Sequence, residues 1–201
     1  MRKLCFGGSF NPIHHGHLLC GMAAAERLAF DRLVLIPSAI PPLKDLSADM
    51  ASAADRFGMC KLATERVPGV EVSGVELERS TPSFTIDTAR QLRQLGWGKV
   101  SWLIGADAVA ELPRWHDLPA LLREVDFVVM GRPGQTIDWQ SLPAELRHLE
   151  QSFVTVPQIQ ISATEIRRRV RNNLPIDFLT PAPVCAYIHD RGLYRSAPTR
   201  F

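Results

Sequence analysis

Histidines follow a glycine-rich turn close to the start of the chain. The turn, residues 7–12, stands directly behind the apolar residues 4–6 and leads into His14 and His17. A buried strand that opens through such a turn into a helix points unpaired amides and a positive dipole end outward, which suits polyphosphate. The two histidines are three residues apart, so they share a helix face. The segment therefore predicts a nucleotide site.

The small residues of this segment have expected local roles. Gly7 and Gly8 are expected to take positive φ and to let the backbone approach a ligand closely. Pro12 suits the turn before a helix, and Gly16 is expected to keep one helix face free of side chain.

Zinc is the alternative ligand for three histidines within four residues. A structural zinc site needs four ligands, and the other histidines, His116, His148 and His189, are scattered without a helpful cysteine spacing. We therefore predict no metal site made of protein ligands.

A second polar segment, Ile-Ser-Ala-Thr-Glu-Ile-Arg, occupies residues 161–167. Ser162 and Glu165 form a capping box, which would start a helix in a protein of any function. The functional interpretation rests on one helix face at positions i, i+3 and i+7: Thr164, Arg167 and Arg171. That face would present a hydroxyl and guanidinium groups beside the helix start. Arg168 and Arg169 are expected to point to solvent.

The two segments resemble the two motifs of the nucleotidyltransferase superfamily. Residues 8–17 are similar to its (H/T)xGH motif and residues 161–167 to its ISxTxIR motif. Within the superfamily the chain resembles the bacterial nicotinate-nucleotide adenylyltransferase family over nearly its whole length. Further stretches carry that likeness: residues 41–44, 82–88, 103–107 and 131–134, with Trp115.

Three positions depart from the family pattern. Leu43 stands where many relatives have His, Ala163 where Ser is common, and Asn11 in place of the more frequent Asp. Side-chain contacts at Leu43 and Ala163 therefore cannot be carried over from the family.

The resemblance implies transfer of the adenylyl group of ATP to nicotinate mononucleotide, with release of pyrophosphate. It implies catalytic roles for His14, His17 and Arg167, which would also bind ATP. The remaining expected ATP-binding residues are Gly8, Ser9, Phe10, Gly105, Asp107, Arg132, Ser162 and Thr164. The acceptor is expected to contact Lys44, Thr85 and Trp115. Mg²⁺ is expected to accompany ATP, bound chiefly by substrate oxygens and water.

Other functions stay open at this point. An adenylyltransferase of the same fold could act on nicotinamide mononucleotide or on phosphopantetheine. A non-catalytic module could retain the nucleotide crevice, although the presence of both motifs argues against it. Nucleic-acid binding through residues 167–171 is disfavoured by the net charge of +2, as is binding to an anionic membrane.

Composition predicts one cytoplasmic domain spanning residues 1–201, with 46% hydrophobic and 22% charged residues. The four cysteines show no paired spacing and are expected to act as small apolar core residues. The apolar run at the start is too short for a signal peptide. Whether the chain forms a homo-oligomer is left open.

Apolar runs without alternation predict an α/β fold, a Rossmann-like doubly wound parallel sheet with helices on both faces, of nucleotidyltransferase type. The expected strands are residues 4–6, 33–36, 102–104, 127–130 and 153–156, and residues 70–78 could add another. The expected helices are residues 15–29, 52–65, 85–95, 119–123, 163–171 and 182–190. Neither GxxxxGK[ST] nor GxGxxG occurs, which disfavours the P-loop and the common dinucleotide fingerprint.

Overall fold

A six-stranded parallel sheet forms the centre of the computed structural model, which describes residues 1–42 and 49–195. The strands are β1 (Lys3–Gly8), β2 (Arg32–Pro37), β3 (Val70–Val72), β4 (Val100–Gly105), β5 (Val125–Gly131) and β6 (Phe153–Thr155). Their order is β3-β2-β1-β4-β5-β6, and every adjacent pair is parallel. The ambiguous stretch at residues 70–78 contributes only the short edge strand β3.

Among the described residues the α-helices are α1 (His15–Arg27), α2 (Ala53–Thr64), α3 (Thr85–Gln94), α4 (Ala106–Val109), α5 (Leu118–Glu124), α6 (Ala163–Arg171) and α7 (Ala182–Asp190). Six of them match predicted segments, and the short α4 was not predicted. α1 ends two residues before the predicted boundary, and Ala29 then takes a φ of 54°. Within the described ranges, no helix combines the length and the apolar character needed to cross a membrane.

Both faces of the sheet are covered, as the unbroken apolar strands predict. Leu4 and Phe6 of β1 belong to a core shared with α1, α2, α6 and α7. Cys5, on the opposite side of the same strand, joins a second core with Trp102, α3 and α5. The sheet is therefore doubly wound, and the predicted fold class is confirmed.

The strand order reverses between β1 and β4. β2 and β3 continue outward from β1 on one side, whereas β5 and β6 continue from β4 on the other. In such sheets the loops that leave the two central strands diverge and open a crevice at their carboxyl ends. The segments after Gly8 and Gly105 therefore frame the same crevice.

Close packing, rather than backbone freedom, explains the glycine at position 7. Gly7 and Gly8 lie inside β1 and neither has positive φ, so the predicted turn role is wrong. A Cβ added to Gly7 would lie 2.3 Å from Cζ2 of Trp102, on the neighbouring strand β4. The positive φ of this turn belongs instead to Phe10, at 43°.

Gly7→Ala is expected to lower the free energy of unfolding by roughly 1–3 kcal/mol, because the indole of Trp102 must shift. Urea unfolding at neutral pH measures the loss. Gly105→Ala is the matched control, because its Cβ would meet no described atom within 4 Å, and its effect should stay below about 0.5 kcal/mol. Equal losses in the two variants would contradict the packing explanation.

Candidate active site

A first cavity, here called the histidine cavity, opens between the carboxyl ends of β1 and β4. It is lined chiefly by Ser9, Asn11, His14, Gly16, His17, Gly105, Asp107, Arg132, Ile161 and Ser162. Residues from both sequence motifs therefore face one space. The structure thus brings together the two motifs to which the resemblance assigns ATP binding.

His14 caps α1 and stacks on His17. Its Nδ1 accepts a hydrogen bond from the backbone N–H of His17 at 3.3 Å, and the two rings lie 3.6 Å apart between centroids. Since Nδ1 is the acceptor, the neutral ring carries its proton on Nε2, which is a hydrogen-bond donor. The cap thus fixes both the orientation and the tautomer of this imidazole.

The His14 side chain is held neutral. Burial, and to a smaller extent the nearby His15, lowers the pKa of His14 from 6.5 to about 4. At His14 the histidine cavity therefore offers a fixed N–H donor at neutral pH rather than a full cation.

Gly16 permits the close approach of the two motifs. A Cβ on Gly16 would lie 3.0 Å from Nδ1 of His14 and 3.4 Å from the carbonyl oxygen of Ile161. Glycine was expected here to leave one helix face open. Its main effect is instead to let α1 contact the segment before α6.

Arg167 joins the late helix to the N-terminal turn. Its Nη1 donates to the carbonyl oxygen of Asn11 at 2.8 Å, and its Nη2 lies 3.4 Å from Oγ1 of Thr164. Nε of Arg167 is buried and has no partner among residues 1–42 and 49–195. Arg171, on the same face, pairs with Asp49. The predicted helix face therefore points toward the segments around the turn.

Of the two α6 arginines predicted to point to solvent, one does so. Arg168 is exposed, as predicted, and forms a bidentate pair with Glu165 at 2.7 Å. Arg169 is half-buried and donates to the carbonyl oxygen of Pro175, so its assignment to solvent was wrong. Half of the capping box forms, since Oγ of Ser162 accepts from the Glu165 amide, while the Glu165 carboxylate turns to Arg168.

The start of α4 and the loop after β5 close one end of the histidine cavity. Gln135 bridges them, because its Nε2 donates to Asp107 at 3.0 Å and its Oε1 accepts from the Arg132 amide at 3.1 Å. Gln135 was not selected from the sequence, and no motif marks it.

A second cavity, here called the aromatic cavity, lies on the other side of Ser9. Its lining includes Gly8, Ser9, Ser38, Pro41, Glu76, Phe84, Thr85, Trp115 and His116. The rings of Phe84 and His116 stack at 4.2 Å. Trp115 is half-buried and also packs edge-on against Phe127, so it serves the core as well as the cavity.

The N-terminus of α3 opens into the aromatic cavity. Thr85 is its first residue, and no described side chain caps it. Asp87, the acidic residue of the first turn, does not line the cavity. A helix start of this kind favours a negatively charged ligand group.

Glu76 is a buried carboxylate in the aromatic cavity that sequence reasoning missed. It accepts a hydrogen bond from Oγ1 of Thr88 at 2.7 Å and lies 3.8 Å from Arg79. Burial raises the pKa of Glu76, and its hydrogen bonds and Arg79 oppose that rise. The hydrogen bond from Thr88 connects this carboxylate to α3.

Several predicted site residues do not line the histidine cavity. Gly8 lines only the aromatic cavity, and Phe10 is a core side chain packed against Phe6 and His17. Thr164 and Arg167 do not line the histidine cavity. Arg167 contacts the lining residue Asn11, and Thr164 contacts Arg167. Lys44, like Leu43, falls outside the described residues.

Two further residues differ from expectation. Cys20 is half-buried and lines the histidine cavity, so only the other three cysteines are core residues. Tyr194, in a C-terminal stretch without a recognisable signal, is buried and donates to Oδ1 of Asn11 at 2.8 Å.

Comparison with known protein families identifies the family of this chain. The model of the Cytidylyltransferase-like family matches residues 5–169, and the chain belongs to that family. By fold and family it is an α/β nucleotidyltransferase.

Two relatives with similar sequences carry the same protein name. A protein of Roseiflexus sp. (strain RS-1) named "Probable nicotinate-nucleotide adenylyltransferase" is 39% identical over 191 residues, covering 94% of this chain and 96% of that protein. A protein of the same name from Moorella thermoacetica is 40% identical over 196 residues, covering 94% and 89%. The resemblance drawn from the two motifs is confirmed.

Solved structures share the fold at low identity. Plasmodium falciparum nicotinic acid mononucleotide adenylyltransferase complexed with NaAD superposes with a TM-score of 0.73 at 17% identity, covering 96% of this chain and 98% of that one. A putative nicotinate-nucleotide adenylyltransferase from Vibrio parahaemolyticus gives 0.67 at 18% identity, covering 98% of both chains.

The pKa of His14 predicts a pH-dependent contribution to stability. Because the folded pKa of about 4 lies below the ordinary 6.5, the unfolded chain takes up the proton first as the pH falls. The contribution is complete above pH 6.5 and should decline by about 2 kcal/mol between pH 7 and pH 5.

His14→Asn retains a capping residue that does not titrate. Urea unfolding at pH 7, 6 and 5 should show a shallower decline in this variant than in the parent. The exposed His148, changed to Asn, should leave the decline unchanged. Parallel curves for parent and His14→Asn would disprove the neutral, buried state of His14.

Proposed function

We propose that this chain transfers the adenylyl group of ATP to nicotinate mononucleotide, giving nicotinate adenine dinucleotide and pyrophosphate. One observation carries the proposal: the histidine cavity and the aromatic cavity meet at Ser9. The first suits a polyphosphate and the second suits a flat ring that bears an anion. The shared wall would bring the two reactants together.

The chemistry requires alignment more than proton transfer. A phosphate monoester has a second pKa of about 6, so its attacking oxygen is ionised near neutral pH without a general base. That oxygen forms a bond to the α-phosphorus of ATP, and the bond from the α-phosphorus to the bridging oxygen breaks as pyrophosphate leaves. The protein must hold two anions in line and offset the charge that develops.

We assign the phosphates of ATP to the donor groups of the histidine cavity and to the neighbouring polar side chains of α6. Nε2 of His14, the imidazole of His17 and the guanidinium of Arg167 would contact the α-phosphate and the departing pyrophosphate. Hydroxyls of Ser162 and Thr164 would support the β- and γ-phosphates at the start of α6, where the helix dipole favours negative charge.

The remaining ATP contacts come from backbone and loops. Gly8, Ser9 and Phe10 would contribute main-chain atoms, since the Phe10 ring is buried in the core. The adenosine would lie toward the β4–α4 junction and the loop after β5. Its proposed contacts there are Gly105, Asp107 and Arg132.

The proposed cofactor is Mg²⁺ entering with ATP. The described ranges contain no group of three or more His, Cys, Asp or Glu side chains that could hold a metal ion. The donor set of the histidine cavity, imidazoles and a guanidinium with one carboxylate, fits an ion carried by phosphate oxygens and water. When bound, Mg²⁺ would neutralise phosphate charge.

The aromatic cavity would hold nicotinate mononucleotide. The faces of Trp115 and of the Phe84 and His116 pair suit a pyridine ring, and the uncapped start of α3 at Thr85 suits its carboxylate. Contact of Lys44 with the mononucleotide phosphate remains a prediction, as do the single domain and the cytoplasmic location.

Pyrophosphate release from ATP with each acceptor separately tests the function. We expect nicotinate mononucleotide to exceed nicotinamide mononucleotide by about tenfold in kcat/KM, the scale of a helix-terminus interaction with a charge. Phosphopantetheine should give no release above background. A preference for either alternative acceptor, or ATP binding without turnover with any of them, would overturn the proposal.

Two neighbouring arginines of α6 test the helix face. Arg167→Ala is expected to lower kcat/KM for ATP by about 10²-fold, the scale seen when one charge-stabilising donor is lost. Arg168→Ala removes an exposed ion pair and should stay within about threefold of the parent. Equal effects in the two variants, measured on folded protein, would remove the role of Arg167.

A further inference from the structure

A buried cation contacts Ser9, the residue that lines both cavities. Arg56 of α2 is 1% exposed and is among the largest fully buried side chains of the described residues. Each arm of its guanidinium group binds a different backbone carbonyl. Nε donates to Ala51 at 3.0 Å, Nη1 to Ser9 at 2.7 Å and Nη2 to Ala39 at 3.1 Å.

The three carbonyls belong to separate segments. Ser9 follows β1, Ala39 follows β2, and Ala51 precedes α2. Ser9 lines both cavities, whereas Ser38 and Pro41, on either side of Ala39, line only the aromatic cavity. Arg56 therefore connects the wall between the cavities to the outer wall of the aromatic cavity.

Stability alone does not account for this arrangement. Desolvation of a guanidinium is costly, and apolar side chains of similar volume often stabilise a core as well or better. Among the described residues, Arg56 forms no ion pair with a carboxylate within 4 Å, and burial lowers its pKa. What a core methionine could not supply is a rigid planar fork that fixes three carbonyls at once.

We propose that Arg56 is a positioning residue for the transfer reaction, fixing the acceptor-binding wall relative to the shared wall at Ser9. The inference rests on the proposed function. Arg56 touches neither reactant in this arrangement and acts through the backbone of Ser9 and Ala39. A misplacement of about 1 Å between reactants can cost 10²-fold in rate, so loss of the fork should be visible in the kinetics.

Arg56→Met tests the proposal, with Lys61→Met on the exposed side of α2 as the matched control. Kinetic constants are measured per folded enzyme, with the folded fraction taken from circular dichroism. We expect Arg56→Met to lower kcat/KM for nicotinate mononucleotide by about 10²-fold. The Kd for ATP, measured by calorimetry without acceptor, should change less than threefold. Lys61→Met should match the parent in both.

Arg56→Lys retains the charge and most of the volume but lacks the planar fork. We expect it to fold and to lose at least tenfold in kcat/KM for the acceptor, between the parent and Arg56→Met. If Arg56→Met does not fold, Arg56→Lys decides by the same criteria. Acceptor kinetics within threefold of the parent would overturn the proposal, and so would an ATP Kd that weakens as much as the acceptor KM rises.

Failure of this inference is separable from failure of the proposed function. An unmodified enzyme that releases no pyrophosphate with nicotinate mononucleotide would overturn the proposed function. An active parent with equally active Arg56 variants would overturn only the positioning role.

Discussion

The buried amide of Asn11 ties together segments that are far apart in the chain. Its Nδ2 donates to the carbonyl of Asp49 at 2.9 Å, while its Oδ1 accepts from the Ala51 amide at 3.0 Å and from the Tyr194 hydroxyl at 2.8 Å. Its own carbonyl accepts from Arg167. A carboxylate at position 11 could accept the same two bonds but could not donate to Asp49. The departure from the family's more frequent Asp therefore suits the local partners, and the histidine cavity depends on the turn that they fix.

The positive character of the site is local and built from fixed groups. The chain as a whole carries a net charge of only +2, so no general field gathers anions. Under the proposed function, anions would be attracted instead by the starts of α1, α3 and α6, by Arg167, and by donors such as Nε2 of His14. Arg56 adds a buried charge behind the shared wall. Because burial holds His14 neutral, the stacked pair with His17 avoids the repulsion of two adjacent imidazolium ions.

Local patterns in the sequence predicted the elements, but not the contacts between them. Unbroken apolar runs identified the strands because both faces of a parallel sheet are buried, and helical periodicity placed α6 and α7 at their observed bounds. The reason for Gly7 could not be predicted, because it depends on Trp102 lying on the adjacent strand. Tyr194 lies 183 residues from its partner Asn11, and Glu76 becomes a cavity residue only once α3 is packed above it. Each depends on packing between distant segments, which no local pattern specifies.

Arginine suits positions 56 and 167 because its planar guanidinium group can be held in one orientation before substrates bind. A lysine would offer a mobile point charge, whereas each guanidinium here is oriented by more than one contact. Ordering a flexible cation during the reaction would consume part of the electrostatic gain, while a group already held by carbonyls requires little reorganisation. The backbone contacts that orient these side chains also define the walls of the cavities. Under the proposed function, the fixation of charge and the alignment of the two substrates both depend on one hydrogen-bond network.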